Sequence, residues 1–347
     1  MMTQTFPRSL RPYITDMNWE ELQEIWPLPG PWSLRPIVQG INNLTQIIET
    51  PAGNYILRIY DSGRPLEHIG YELSLLGELQ KVSLPFRIPA PIPTVTGELF
   101  AIYSGKIITL SPWLAGLPPQ NDNLEQAWSA GQALAELGQA LRGLQIETTL
   151  DVVPFPLSAD FEAWGKIDVH SAETLLLGLP LKNEELSQML ALVERMRVMA
   201  PALYRTSPVQ IIHRDYDQSN ILMEGNSVTG VLDFEFCGPD LRILDLAYAL
   251  STWPWGWWNT GLEWQIMDAF GRGYVQVQEL PVAELELLPL VFQLRMVTGL
   301  FFRLGRYQRN LETEKSMLAR AREVLSFERW LRPHEEQLLV LVRSWSA

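Results

Sequence analysis

Among 347 residues there is one cysteine, Cys237, and only four histidines, with no CxxC pair. An intramolecular disulfide is therefore excluded and a zinc site is unsupported, so any metal would be held by oxygen. Basic residues are scarce, 27 against 40 acidic ones, which gives a formal net charge of −13. That balance opposes the electrostatic attraction on which nucleic-acid binding rests, and a polynucleotide ligand is not expected. It suits a cationic or zwitterionic ligand, and equally it suits ordinary solubility. No stretch approaches the ~18 uninterrupted apolar residues of a membrane span. The opening "MMTQTFPRSLRPY" lacks the apolar core of a secretory signal, so a soluble cytoplasmic protein is expected, with no membrane partner. Charge runs, low-complexity tracts and internal repeats are missing as well. With 47% hydrophobic residues, the length supports two lobes around a sizeable core.

The densest chemistry lies between Ile211 and Glu235, in "IIHRDYDQSNIL" and "GVLDFE". Ile221 to Glu224 and Val228 to Leu232 are short runs rich in branched apolar side chains, and Gly225-Asn226-Ser227 is turn material, so a tight hairpin is expected. Its open end would bring Asn220 beside Asp233, an amide oxygen next to a carboxylate. Such a pair suits Mg²⁺, which prefers hard oxygen ligands and takes the remainder from water and nucleotide phosphates. Asp215 precedes Asn220 by five positions in the entering loop, where a carboxylate can accept the proton of an attacking hydroxyl. Taken singly, Asp215 and Asp233 read as loop caps and His213 as a core histidine; the ensemble and its order favour the chemistry.

Upstream, Gln39 to Asn43 and Pro51 to Asn54 read as turns, the second marked by Gly53, and Gly97 and Gly105 mark two more. Five strands are predicted at 34–39, 44–50, 54–60, 98–103 and 106–111. Glu72 lies in a segment whose apolar residues Ile69, Leu73, Leu76 and Leu79 recur at helical spacing. Asn18 and Glu21 have capping-box spacing for a short helix before the sheet. Beyond residue 116 helices are predicted at 124–145, 184–200, 260–275, 282–309, 312–330 and 334–345.

His213-Arg214-Asp215 with Asn220, followed by Asp233-Phe234, resembles the catalytic and metal-binding motifs of kinases with the protein-kinase fold. Asp233-Phe234-Glu235 with Asp245-Leu246-Ala247 is more similar to the aminoglycoside phosphotransferase, choline kinase and type II homoserine kinase superfamily. "GINN", "GNYILRIY" and "GPDLRILDLA" look most like its homoserine kinase branch. The resemblance implies an α+β bilobal fold: an accessory helical segment over 1–33, an antiparallel nucleotide-binding lobe over 34–111, a hinge over 112–116 and a mostly helical lobe over 117–347. It implies ATP and Mg²⁺, with Gly40 and Asn42 in a phosphate-covering turn and Ser111 and Trp113 around the adenine-binding hinge. Arg58 stands where such kinases usually carry lysine, with Glu72 as its partner. Asp215 would be the base, Asn220 and Asp233 the metal ligands, and His213 and Asp245 loop supports. Glu235 would touch metal-bound water or the acceptor.

Arginine and lysine are not interchangeable at a phosphate site. Arg58 therefore leaves a pseudokinase reading beside the enzyme reading, and the intact Asp215, Asn220 and Asp233 favour the enzyme. No Ala-Pro-Glu follows Asp233, which favours a small-molecule acceptor over a polypeptide. An amino acid or amino alcohol such as homoserine is expected, with an aminoglycoside as alternative and a bacterial Ser/Thr protein kinase as a further one. Trp253, Trp255, Trp257, Trp258 and Trp264 are read as packing between helices, or else as an aromatic cage for an ammonium group. Asp240 is read as capping the following helix, with a place in the acceptor wall as alternative. Asp217 and Gln218 touch acceptor or phosphate, or stabilise the loop; Cys237 is read as inert packing.

Overall fold

A computed structural model describes residues 19–26, 28–36, 43–60, 65–146 and 155–346. The expected Asn18 cap and the turn residues Gly40 and Asn42 lie outside them. The first lobe is a sheet of β1 (Ser33–Pro36), β2 (Asn43–Thr50), β3 (Gly53–Tyr60), β4 (Ala101–Tyr103) and β5 (Lys106–Pro112), antiparallel throughout, in the order β1-β2-β3-β5-β4. Strand alternation sends Leu57 and Ile59 of β3 into the core, which turns Arg58 between them to the other face. The core face is covered by Leu22 of α1 (Trp19–Ile25) and Trp26 just after it, which pack with Leu44, Ile48 and Leu110. Helix α2 (Leu66–Leu79) buries Ile69, Leu73, Leu76 and Leu79, and with them Glu72. β4 begins three residues later than predicted because Glu98 closes a turn instead: its N–H donates to Thr94 Oγ1 at 3.2 Å and its carbonyl accepts from Thr94 N at 2.8 Å.

The second lobe is mainly helical: α3 (Leu124–Gly143), α4 (Phe161–Gly165), α5 (Val169–Gly178), α6 (Asn183–Thr206), α7 (Arg242–Thr252), α8 (Leu262–Val277), α9 (Val282–Leu285), α10 (Leu288–Gln308) and α11 (Glu314–Arg343). Two short antiparallel ladders stand among them. β6 (Val209–Ile212) pairs with β9 (Gly238–Leu241), and β7 (Ile221–Glu224) with β8 (Ser227–Val231). The chain thus has the bilobal α+β architecture that the motif resemblance implies. The single helix predicted over 282–309 divides, because Pro289 lacks an N–H and opens a new first turn in α10. Conversely, the helices predicted over 312–330 and 334–345 are one. Pro333 is exposed inside α11, where water can solvate the carbonyl that loses its partner, while Leu331 and Leu338 are buried on either side. α10 is long and apolar enough to cross a membrane by composition, but 72% of its apolar window is buried inside the protein.

Candidate active site

The β7–β8 hairpin turns at Gly225, where φ is +59°, and pairs Ile221 with Val231. Its open end closes through Leu232 N–H donating to the Asn220 carbonyl at 2.8 Å. Asn220 and Asp233 therefore leave the ladder side by side. Asp233 has φ +60°, a left-handed conformation uncommon for a residue other than glycine and one that tight sites tolerate when the surroundings hold it.

Asn220 Nδ2 donates to both the backbone carbonyl and the Oδ2 of Asp215, at 2.9 and 3.0 Å. The amide's nitrogen is thereby used, and its oxygen is the end left for a cation. From the sheet, Arg58 spans two carboxylates: Nη1 to Glu72 at 3.0 Å and Nη2 to Asp233 at 3.5 Å. Burial opposes the charge of Arg58, yet Tyr60, Glu72 and Asp233 hold its pKa above the ordinary arginine value. A guanidinium fork reaches both acids from one head, which a single ammonium point charge does less well.

Asp215 is mostly buried, and burial pushes its carboxyl up to about 7, with Asp217 and Asp233 adding in the same direction. Two hydrogen bonds oppose the rise. One comes from Asn220; the other comes from Tyr248, whose hydroxyl donates to Asp215 Oδ1. Tyr248 was missed in the sequence. It stands three residues after Asp245 on α7, on the same helical face, and that spacing was the available signal.

Behind Asp215, His213 is fully buried. Its Nδ1 accepts from Asp215 N–H at 3.3 Å and its Nε2 faces the Leu232 carbonyl at 3.0 Å. These partners require the neutral tautomer with the proton on Nε2, and burial correspondingly pushes the imidazole down to about 4. Asp245 accepts the backbone N–H groups of His213 and Arg214, each at 2.7 Å. Burial raises it to about 6 against these two bonds. Asp217 Oδ1 accepts from Ser219 N at 2.7 Å and Oγ at 2.6 Å, capping the short turn Gln218–Asn220. Gln218 Nε2 ties that turn to the Trp253 carbonyl at 2.7 Å.

Two cavities meet this loop without sharing a lining residue. The first, about 370 Å³, is lined by Arg58, Glu72, Thr109, Ser111, Trp113, Asn220 and Asp233 among others. The N–H of Trp113 is already donated to Asn54 O at 3.0 Å, so any adenine contact there is left to its carbonyl or its indole. The second, about 460 Å³, is lined by Asp215, Asp217 and Tyr248 with side chains of α10 and α11. Neither cavity includes Glu235, which is buried.

Asp240 neither caps α7 nor lines either of these cavities. Its fully buried carboxylate gathers Ser158 N and Oγ, the Tyr204 hydroxyl and Arg214 Nη2 at 2.5–3.1 Å, because the β6–β9 pairing draws it into the core. The tryptophans form no cage at the cavity beside Asp215. Trp253 is core against Phe270, Trp258 meets Trp330 of α11 edge-on and Trp264 lies tilted against it, with ring centroids 4.5 and 5.3 Å apart, and Trp255 is exposed. Cys237 is buried, with its thiol pushed well up by burial.

A model of the phosphotransferase enzyme family matches residues 33–280. A homoserine kinase of Caulobacter vibrioides (strain NA1000 / CB15N) is 27% identical over 332 residues, covering 94% of this chain and 98% of the relative. Two solved structures share the fold. An amicoumacin kinase in complex with AMP-PNP, Ca²⁺ and Ami superposes with TM-score 0.70 at 16% identity, covering 92% of this chain and 96% of that one. A microcompartment-associated aminopropanol kinase superposes with TM-score 0.62 at 18% identity, covering 94% and 97%.

Proposed function

The chain belongs to the phosphotransferase enzyme family, and from that premise we propose that it moves the γ-phosphate of ATP onto the hydroxyl of a small molecule, an amino acid or amino alcohol such as homoserine. The observation that carries this reading is the convergence of three oxygen-bearing side chains on one loop end: Asp215 bonded to Asn220 at 3.0 Å, with Asp233 beside Asn220 across the hairpin mouth. Among the described residues no three His, Cys, Asp or Glu side chains gather as a metal cage. An amide oxygen and a carboxylate that leave the remaining positions to water and phosphate fit Mg²⁺. Asn220 and Asp233 are its proposed ligands, and the ion when bound would neutralise charge on the phosphates.

Asp215 accepts the proton of the acceptor hydroxyl as that oxygen bonds to phosphorus and the bond to the leaving oxygen of ADP breaks. A carboxyl raised by burial is a stronger base than a solvated one, which suits that proton transfer. Arg58 steadies the nucleotide phosphates and is itself steadied by the buried Glu72. Ser111 and Trp113 wall the nucleoside end, while His213 and Asp245 keep the loop in shape without exchanging protons. The full-length relatives support the acceptor class, since homoserine kinases match almost end to end.

A coupled assay of ADP release, with product identified by phosphorus NMR, tests the reading against L-homoserine, choline, 3-aminopropan-1-ol and an aminoglycoside. Transfer to one of the small hydroxylated amines, falling about a thousandfold or more in Asp215→Asn, is expected. Nucleotide binding without transfer to any of them, or transfer to polypeptide alone, would contradict it.

A further inference from the structure

We propose that Arg295 and Arg320 form a carboxylate subsite in the cavity that opens on Asp215, so that the acceptor is a short hydroxy acid of the amino-acid type. The inference rests on the phosphotransfer reading for the meaning of Asp215, and it selects one acceptor chemistry within it.

Four arginines line this cavity, and two of them are neutralised. Arg214 pairs with Asp240 at 3.1 Å, and Arg303 with Glu312 at 2.5 Å. Arg295 has no carboxylate partner among the described residues. Its one polar contact is a distant approach to Met296 Sδ at 3.9 Å, and its Nε is buried without a hydrogen-bond partner. Arg320 gives Nη1 to Glu323 at 2.9 Å, and its Nε is likewise buried and unsatisfied. Among the described residues Glu323 thus bonds Arg320 alone, and Arg295 is left without a carboxylate. Burial and the nearness of Arg295 hold Arg320 below the ordinary arginine value. Leaving cationic donors desolvated and unsatisfied is costly, and a bound anion removes the cost. A planar carboxylate is the anion that a guanidinium fork matches best.

The packing keeps this arrangement open. A Cβ at position 299 would lie 2.4 Å from Arg320 Nη2, so only glycine at that point of α10 lets the guanidinium lie against the helix. The geometry also limits the acceptor's length. The Arg295 guanidinium carbon sits 4.0 Å from the centroid of the Tyr248 ring, and the hydroxyl of that ring bonds to Asp215. One phenol thus spans from anion site to base, which suits a carboxylate and a hydroxyl separated by a few carbons. Asp217 on the same wall offers a counter-charge to an amine. A polycationic amino sugar or a plain amino alcohol brings nothing for the two arginines.

Calorimetric titration of the full-length protein with Mg²⁺ and a non-hydrolysable ATP analogue tests this, using L-homoserine and its carboxyl-free counterpart 3-aminopropan-1-ol as ligands. Wild-type protein is expected to bind the amino acid about ten- to a hundredfold more tightly, the range for one charge-assisted interaction. Arg295→Gln and Arg320→Gln are each expected to reduce that ratio at least severalfold, and Arg295→Lys to retain part of it. A purely structural role would weaken both ligands alike and leave the ratio unchanged. Equal wild-type affinities, or a ratio unmoved in both glutamine variants, would overturn the subsite. Turnover separates the two readings: transfer without discrimination removes the subsite and keeps phosphotransfer, whereas discrimination in binding with no transfer to any acceptor keeps the subsite and removes phosphotransfer.

Discussion

Tyr248 is the side chain whose removal isolates one interaction most cleanly, because Phe keeps the ring under Arg295 and deletes only the hydroxyl bonded to Asp215. A hydrogen bond to a charged group is worth roughly 1.5–3 kcal/mol. Without that bond the Asp215 carboxyl rises further and less of it is ionised at neutral pH, so Tyr248→Phe is expected to lower kcat there by about ten- to a hundredfold, with the KM for ATP unchanged because Tyr248 does not line the proposed nucleotide cleft. Steady-state kinetics that moved only the ATP constant would refute the assignment. His213 makes a different test, since its pKa falls from 6.5 to about 4 through burial. The unfolded chain takes up that proton near pH 6.5 while the folded one resists until about pH 4, so the stability His213 contributes is complete above 6.5 and is lost as pH falls toward 4. The stability of wild type minus that of His213→Asn should drop by about 3 kcal/mol between pH 7 and 4. Subtraction cancels the opposite trend of Asp245, whose raised carboxyl favours the folded state at low pH. Parallel denaturation curves across that range would count against the buried neutral imidazole. Both tests concern residues of unequal legibility. His213 belongs to a run in which spacing and residue type coincide. Tyr248, Arg295 and Arg320 come from helices where one tyrosine or arginine among many carries no local mark, and only the packing of α7, α10 and α11 assembles them.

Helices α3 and α8 cross backbone to backbone, and both supply the glycine that permits it. A Cβ on Gly131 would stand 2.0 Å from Phe270 O, and one on Gly273 2.0 Å from Trp128 O. Neither obstacle is a side-chain tip that can swing away, so the helices themselves must separate. Gly131→Ala and Gly273→Ala should each destabilise the protein by about 3 kcal/mol or more, despite the gain in helix propensity of roughly 1 kcal/mol. Gly143→Ala, at the end of α3 with no atom within 4 Å, is the control and should be near neutral or stabilising. Thermal unfolding of the three variants decides; equal effects would mean that the crossing is not tight. Element by element, the sequence was most readable where periodicity and punctuation agree, as in β3, the β7–β8 hairpin and α3. It misled at Pro333, where proline suggests a stop but an exposed face and buried leucines on both sides sustain α11. Near Pro289 it erred the other way, running one helix over 282–309 where the chain makes two, because a proline that interrupts a helix interior is also favoured in the first turn of a new one. α4 and α5 went unpredicted, being short and dependent on packing: Gly165 abuts the Phe301 carbonyl of α10, a contact no local pattern encodes.

At the scale of the whole molecule, the proposed nucleotide cleft draws its walls from both lobes: Arg58, Thr109 and Ser111 from the sheet, Asn220, Leu222 and Asp233 from the hairpin. The lobes are also joined by backbone, through Arg87 N–H to Thr229 O at 2.9 Å and Val231 N–H to Arg87 O at 3.0 Å. A ligand in that cleft contacts groups that unfolding would separate, and it binds the folded chain alone, so it must stabilise both lobes by mass action. At a hundred times its Kd a non-hydrolysable ATP analogue with Mg²⁺ should contribute about 2.7 kcal/mol and raise the Tm by several degrees. On the proposed assignment the share that depends on the metal falls to Asp233, because Asn220 would offer only a neutral oxygen and Arg58 would meet the phosphates as a cation. Chelation with EDTA should accordingly lower the analogue's Tm increment in the wild type, whereas in Asp233→Asn the increment should be the same with EDTA as with Mg²⁺. Arg58 remains in that variant and still meets phosphate, so some nucleotide stabilisation should survive. A full Mg²⁺-dependent increment in Asp233→Asn would mean that the cation sits elsewhere, and the hairpin mouth would then have to be abandoned as the metal site.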